Sequence, residues 1–188
     1  MLVEFTFENF KSFKDKTTFS MEPVSHNGKP VNEIETNFKD VKSVFRTAAI
    51  FGANASGKSN FIEAFMVFKK IVKKSFSNSI DSTFEIDNYM LGSKTSRDIH
   101  FEIKFIIKNN LYRYGFSLDN KKVKKEYLYI TPQKTNKEKE IFNRNNKQYS
   151  YDTEIISNEN WAKETIATRL FLSELVNNRN VTNYHIFY

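Results

Sequence analysis

Nine consecutive residues carry the types and spacing needed to hold a chain of phosphates: Gly52-Ala53-Asn54-Ala55-Ser56-Gly57-Lys58-Ser59-Asn60. Two glycines five apart, followed by Lys and Ser, form the phosphate-binding P-loop pattern. Gly52 lets the chain turn at φ values that a Cβ would forbid. Ala53 to Ser56 are small or polar, so main-chain N–H groups can close around an anion, and Gly57 leaves room for its approach. Lys58, the candidate catalytic residue, reaches β- and γ-phosphates in such loops, and the Ser59 hydroxyl is the candidate Mg²⁺ ligand. A helix starting here adds its N-terminal N–H groups and its dipole. The expected ligand is a nucleoside triphosphate with Mg²⁺.

Such a loop works only between a strand and a helix. Val44 to Phe51 ends in a short apolar run that reads as a buried strand. After the loop, Phe61, Phe65, Phe68 and Val72 recur at helical spacing, Ile62 and Met66 widen the stripe, and Lys69, Lys70, Lys73 and Lys74 close it. Residues 44–76 are therefore expected to form strand, loop and amphipathic helix.

Composition bounds the rest. The 188 residues suit one domain or one large piece of a domain, and 39 % hydrophobic content with 19 Phe is enough for a core. No run approaches the roughly 20 apolar residues of a membrane span, and the N-terminus alternates like a strand rather than a signal peptide. Without Cys there is no disulfide frame or thiolate metal site. His26, His100 and His185 show no ligand spacing. A cytoplasmic setting is expected.

The net charge is +7, and lysine outnumbers arginine 23 to 6. The runs Lys69-Lys70, Lys73-Lys74, Lys121-Lys122 and Lys124-Lys125 read as solvated faces first and as a path for DNA second, because arginines are few and no nucleic-acid motif is present.

In chain order, Val3, Phe5 and Phe7 alternate with polar residues, Asn9-Phe10-Lys11-Ser12-Phe13 breaks the alternation, and Thr17, Phe19 and Met21 resume it. Residues 1–21 read as a β-hairpin connected near Lys14 to Lys16. Glu22 to Asp40 is loop-rich. Residues 99–152 read as an antiparallel meander: Phe101 to Ile107, a turn at Asn109-Asn110, Tyr112 to Leu118, Val123 to Ile130, and one more hairpin around Asn145-Asn146. Its aromatic stripes read as the core of a one-sided sheet in preference to base-stacking platforms. Residues 158–178 read as one helix of about four turns, capped by Asn158 or Asn160, with Ala162, Ile166 and Leu170 on its buried stripe. Val181 to Tyr188 is an apolar-aromatic tail.

The sequence "VEFTFENFKSF", a variable stretch and "AAIFGANASGKSNFIEAF" together resemble the start of an ABC-type ATPase head of the SMC, RecF and OLD kind. Prokaryotic AAA-family ATPases of phage-defence and abortive-infection loci are the nearest in kind. The resemblance implies a P-loop NTPase of α/β class, a partial ABC-ATPase-like head with an antiparallel β lobe, binding ATP and Mg²⁺. It places Asn54 beside the γ-phosphate and Lys11 near the nucleotide. It further implies a homodimer closing on two ATP molecules in the full-length protein, action on DNA or through an effector nuclease, and no membrane.

Such a head also needs an apolar strand ending in Asp-Glu, a Leu-Ser-x-Gly signature and a switch histidine. Leu172-Ser173-Glu174-Leu175 lacks the glycine, and no apolar run precedes an Asp-Glu pair. The chain is therefore expected to be the N-terminal part of a larger head that binds ATP without efficient turnover. Two alternatives stand beside this reading. One is a self-contained P-loop kinase or GTPase, although Asn136-Lys137-Glu138-Lys139 fails the guanine motif at its last place. The other is a non-enzymatic interaction module with a residual nucleotide site.

Overall fold

A computed structural model describes residues 1–24, 31–89, 98–156 and 160–177. His26, Asn158, His185 and the tail from Val181 lie outside them. The alternating segments form strands β1 (Leu2–Glu8), β2 (Thr17–Ser20), β5 (Ile99–Ile107), β6 (Asn110–Leu118), β7 (Val123–Pro132), β8 (Lys139–Asn145) and β9 (Gln148–Tyr151). They make one antiparallel sheet in the order β2-β1-β5-β6-β7-β8-β9. Two short strands, β3 (Glu33–Glu35) and β4 (Ser43–Phe45), pair separately. The β5–β6 turn is Lys108-Asn109, one residue earlier than expected, with both residues at positive φ (45° and 62°), as a two-residue type I′ connection requires.

The one long helix among the described residues, α1 (Lys58–Lys74), lies on one face of the sheet. Period-two strands and a period-3.6 helix bring the phenylalanines together. Phe5 meets Phe65 at 5.0 Å, edge to face, and Phe68 stacks on Phe116 at 5.5 Å. Each such pair is worth about 0.5–1.5 kcal/mol beyond its buried area. The opposite face is divided: near β3 and β4 a second apolar cluster buries Val3, Met21, Phe38, Val41, Val44 and Ile106, and beyond it the face is polar around Arg113. Arg113 donates to Glu138 through Nε at 2.9 Å and Nη2 at 2.8 Å while lying 4.3 Å over Tyr129. Ile62 and Met66 do not join the buried stripe: they are 52 % and 64 % exposed.

Two larger differences concern whole elements. Residues 158–178 do not form one helix. Two short helices, α2 (Asn160–Glu164) and α3 (Phe171–Asn177), are separated by a turn. Local periodicity lost to tertiary hydrogen bonds. Val123 N–H takes the Ala167 carbonyl at 2.8 Å, Thr168 Oγ1 donates to Ser79 O at 2.8 Å, and the buried Glu126 carboxylate accepts the Phe171 and Leu172 N–H groups. A new N-terminus capped from below starts α3 there.

The strand before the P-loop is also shorter than expected. β4 stops at Phe45, and residues 46–51 are exposed, Phe51 by 90 %. The main-chain groups of Ala48 to Phe51 bond to no described residue. An apolar run is buried only where a neighbour covers it, and the described residues supply none. Phe51→Ser should therefore change this chain's unfolding free energy by less than about 0.5 kcal/mol in a urea titration. Truncating the fully buried Phe5 to Ala should cost about 3–5 kcal/mol.

Candidate functional site

The loop from Gly52 to Gly57 leads directly into α1, whose N-cap is Gly57 at φ 95°. Ala55 is also left-handed, at φ 63°. Left-handed residues of this kind gather successive N–H groups into an anion-binding concavity. Ser56 N–H closes the turn on Ala53 O at 3.3 Å, and Phe61 N–H makes the first helical bond to Gly57 O at 2.9 Å. The main-chain N–H groups of Ala53 to Ala55 and Gly57 to Asn60 donate to no described residue, and no side chain caps the helix. Gly52 to Ser56 are exposed. These donors face no internal competitor, and the positive end of the α1 dipole lies behind them.

Lys58 folds back over the loop. Its Nζ donates to Gly52 O and to Ala53 O, both at 2.7 Å. Among the described residues the ammonium thus has only neutral carbonyl partners, which an anionic ligand can displace. Ser59 is exposed in the first turn of α1 with its hydroxyl unbonded among the described residues. Asn54 sits at the exposed tip of the turn. Asn60 takes a different part: its Nδ2 donates to Ser12 Oγ at 2.8 Å, tying α1 to the β1–β2 connection.

That connection forms a wall of the site. A Cβ on Gly57 would stand 3.1 Å from Cζ of Phe13 and 3.4 Å from Ser12 Oγ. Crowding and positive φ act together, so Gly57→Ala is expected to cost about 1–2 kcal/mol of stability, read as a lower urea midpoint. Asn9 and Lys11 themselves have positive φ, 57° and 47°. The Lys11 ammonium is paired with Glu63 of α1 and lies 3.5 Å from Asp87. Its hydrogen bond to the Glu63 carboxylate holds its pKa above the ordinary lysine value. The hairpin is thus beside the phosphate loop, but this charge is already engaged by two carboxylates. The structural part of Phe13 and Ser12 was not foreseen. The signal was the interruption of period two at Asn9 to Phe13.

The chemistry of these residues fits a triphosphate: the free N–H groups would donate to its oxygens, and Lys58 and the helix dipole would offset its charge. The Ser59 hydroxyl would be the chain's own ligand to Mg²⁺, which would supply further charge neutralisation. Among the described residues no group of three or more His, Cys, Asp or Glu side chains could hold a metal. Phosphate and water oxygens would therefore complete the shell, as is common for this ion. No helix of the described residues is long and apolar enough to cross a membrane.

The chain matches a family described as "AAA domain, putative AbiEii toxin, Type IV TA system" over residues 48–164. The match opens four residues before Gly52, takes in the loop, α1 and the meander, and covers more than half of the 188 residues. No curated protein matches the chain. By its loop, the helix behind it and this match, the chain belongs to the AAA-domain family of putative AbiEii toxins and carries an ATP-binding domain of that type.

Proposed function

We propose that this chain is the ATP-binding part of an SMC/RecF/OLD-like ATPase that serves DNA metabolism or phage defence. One observation carries the reading: unpaired N–H groups and Lys58 surround an open loop at the start of α1. The nucleotide is ATP with Mg²⁺, cradled by Gly52 to Asn60, with Ser59 on the metal. Turnover requires an Asp-Glu strand and a signature motif, and neither is present in this sequence. The exposed run from Ala48 to Phe51 supports a larger head in which another strand pairs with this edge. In that assembly two heads close on two ATP molecules, and DNA or an effector nuclease is the downstream partner.

Calorimetric titration with Mg-ATP, beside a phosphate-release assay on the same protein, tests this. Saturable binding with turnover no faster than a buffer blank is expected. Absence of binding removes the reading, and brisk hydrolysis replaces it with a self-sufficient enzyme.

A further inference from the structure

A cleft of about 350 Å³ lies towards the β9 edge of the sheet, away from the P-loop. The hairpin wall of the P-loop extends from β1, whereas this cleft abuts β8 and β9. β1 and β9 are five strand spacings apart, about 24 Å. Three elements converge on the cleft: the β6–β7 turn brings Lys122, the β8–β9 turn brings Lys147, and α2 brings Lys163. All three are exposed and have no carboxylate partner among the described residues. Arg144 of β8 also lines the cleft, with its side chain only 2 % exposed.

Arg144 is held in place. Its Nε donates to Asn146 O at 3.1 Å and its Nη1 to Arg169 O at 2.7 Å. Its guanidinium lies 5.4 Å from the centre of the Tyr149 ring. Nη2 donates to no described residue. Glu126, 3.8 Å from Arg144, sits beneath and is already shared among Tyr114 and two main-chain N–H groups. The lining itself contains no acidic residue. Four cations against one engaged carboxylate leave a net positive hollow with a fixed guanidinium among its lining residues. Guanidinium forks suit phosphate oxygens, and clustered ammonium groups add attraction. The volume is at the small end of ligand sites, which suits one nucleotide unit rather than a duplex. Val123, Ala162 and the Tyr149 ring offer apolar wall to the rest of such a unit.

We propose that this cleft is a second phosphate-binding site, taking the phosphate of a single nucleotide unit, either free or within a single strand. It does not depend on how Gly52 to Asn60 are read.

The full chain carrying Lys58→Ala is titrated with two probes, AMP and a fluorescent mixed-sequence single-stranded DNA 12-mer, at several salt concentrations. Binding of at least one probe is expected. Lys147→Glu with Lys163→Glu should weaken that binding at least tenfold. For the 12-mer the salt slope should fall by about 2, one for each lysine removed. Lys73→Glu with Lys74→Glu, an equal charge change at the exposed end of α1, should leave the affinity unaltered. AMP responding alone identifies a free nucleotide as the ligand, and the 12-mer responding alone identifies a strand. Neither probe binding, no loss in the first pair, or equal loss in both pairs overturns the site.

Discussion

Lys58→Ala should weaken Mg-ATP binding by about 10- to 100-fold while leaving the fold intact. A charged hydrogen bond is worth about 1.5–3 kcal/mol, and each 1.4 kcal/mol is a factor of ten in affinity. Among the described residues, Lys58 gives its ammonium only to the carbonyls of Gly52 and Ala53. Removing it leaves two exposed carbonyls, which water satisfies, so stability should hardly move. Calorimetry and circular dichroism on the same samples separate the two effects. Unchanged affinity in this variant would dispose of the phosphate-loop reading, and loss of both affinity and helical signal would show that Lys58 is structural.

The second large effect is expected far from that loop. Glu126 is fully buried. It accepts hydrogen bonds from Tyr114 Oη at 3.0 Å, Phe171 N–H at 2.6 Å and Leu172 N–H at 2.9 Å, and lies 3.8 Å from Arg144. Burial pushes its carboxyl above the ordinary range, against the pull of Arg144 and the two backbone donors. Glu126→Ala strands all of these partners in a low-dielectric interior. Breaking a buried charge pair from one side costs about 3–5 kcal/mol, a large part of the 5–15 kcal/mol typical of a domain. α3 should detach first, since Glu126 is its cap. Urea denaturation measures the loss, and hydrogen exchange locates it at Phe171 to Asn177. A loss below about 1 kcal/mol would mean that α3 is held by its apolar contacts alone.

The contrast between these two sites explains what could be read in advance. Phe5 and Phe7 of β1, Phe101 of β5 and Tyr112 to Leu118 of β6 turn alternate residues to the core under α1, so period two made them legible. Val3 and Ile106 join the second cluster instead, which alternation alone does not show. The helix after the loop was legible from Phe61, Phe65 and Phe68. Its exposed Ile62 and Met66 were not, because a stripe drawn from periodicity cannot say how wide the covering surface is. Residues 158–178 failed for a related reason. Ala162, Ile166 and Leu170 have helical spacing, but Glu126, 45 residues before Phe171, decides where α3 begins.

By itself the sequence determined the phosphate loop, because its chemistry is local: small residues, one left-handed glycine, one ammonium and one hydroxyl are contiguous. It also determined the strands, whose period of two follows from each residue's neighbours along the chain. Tertiary structure alone decided the wall that Phe13 and Ser12 build against Gly57, the engagement of Lys11 by Glu63 and Asp87, and the clustering of Lys122, Arg144, Lys147 and Lys163. These depend on which distant segments the sheet order brings together, and long-range pairing leaves no periodic trace in the residues being paired.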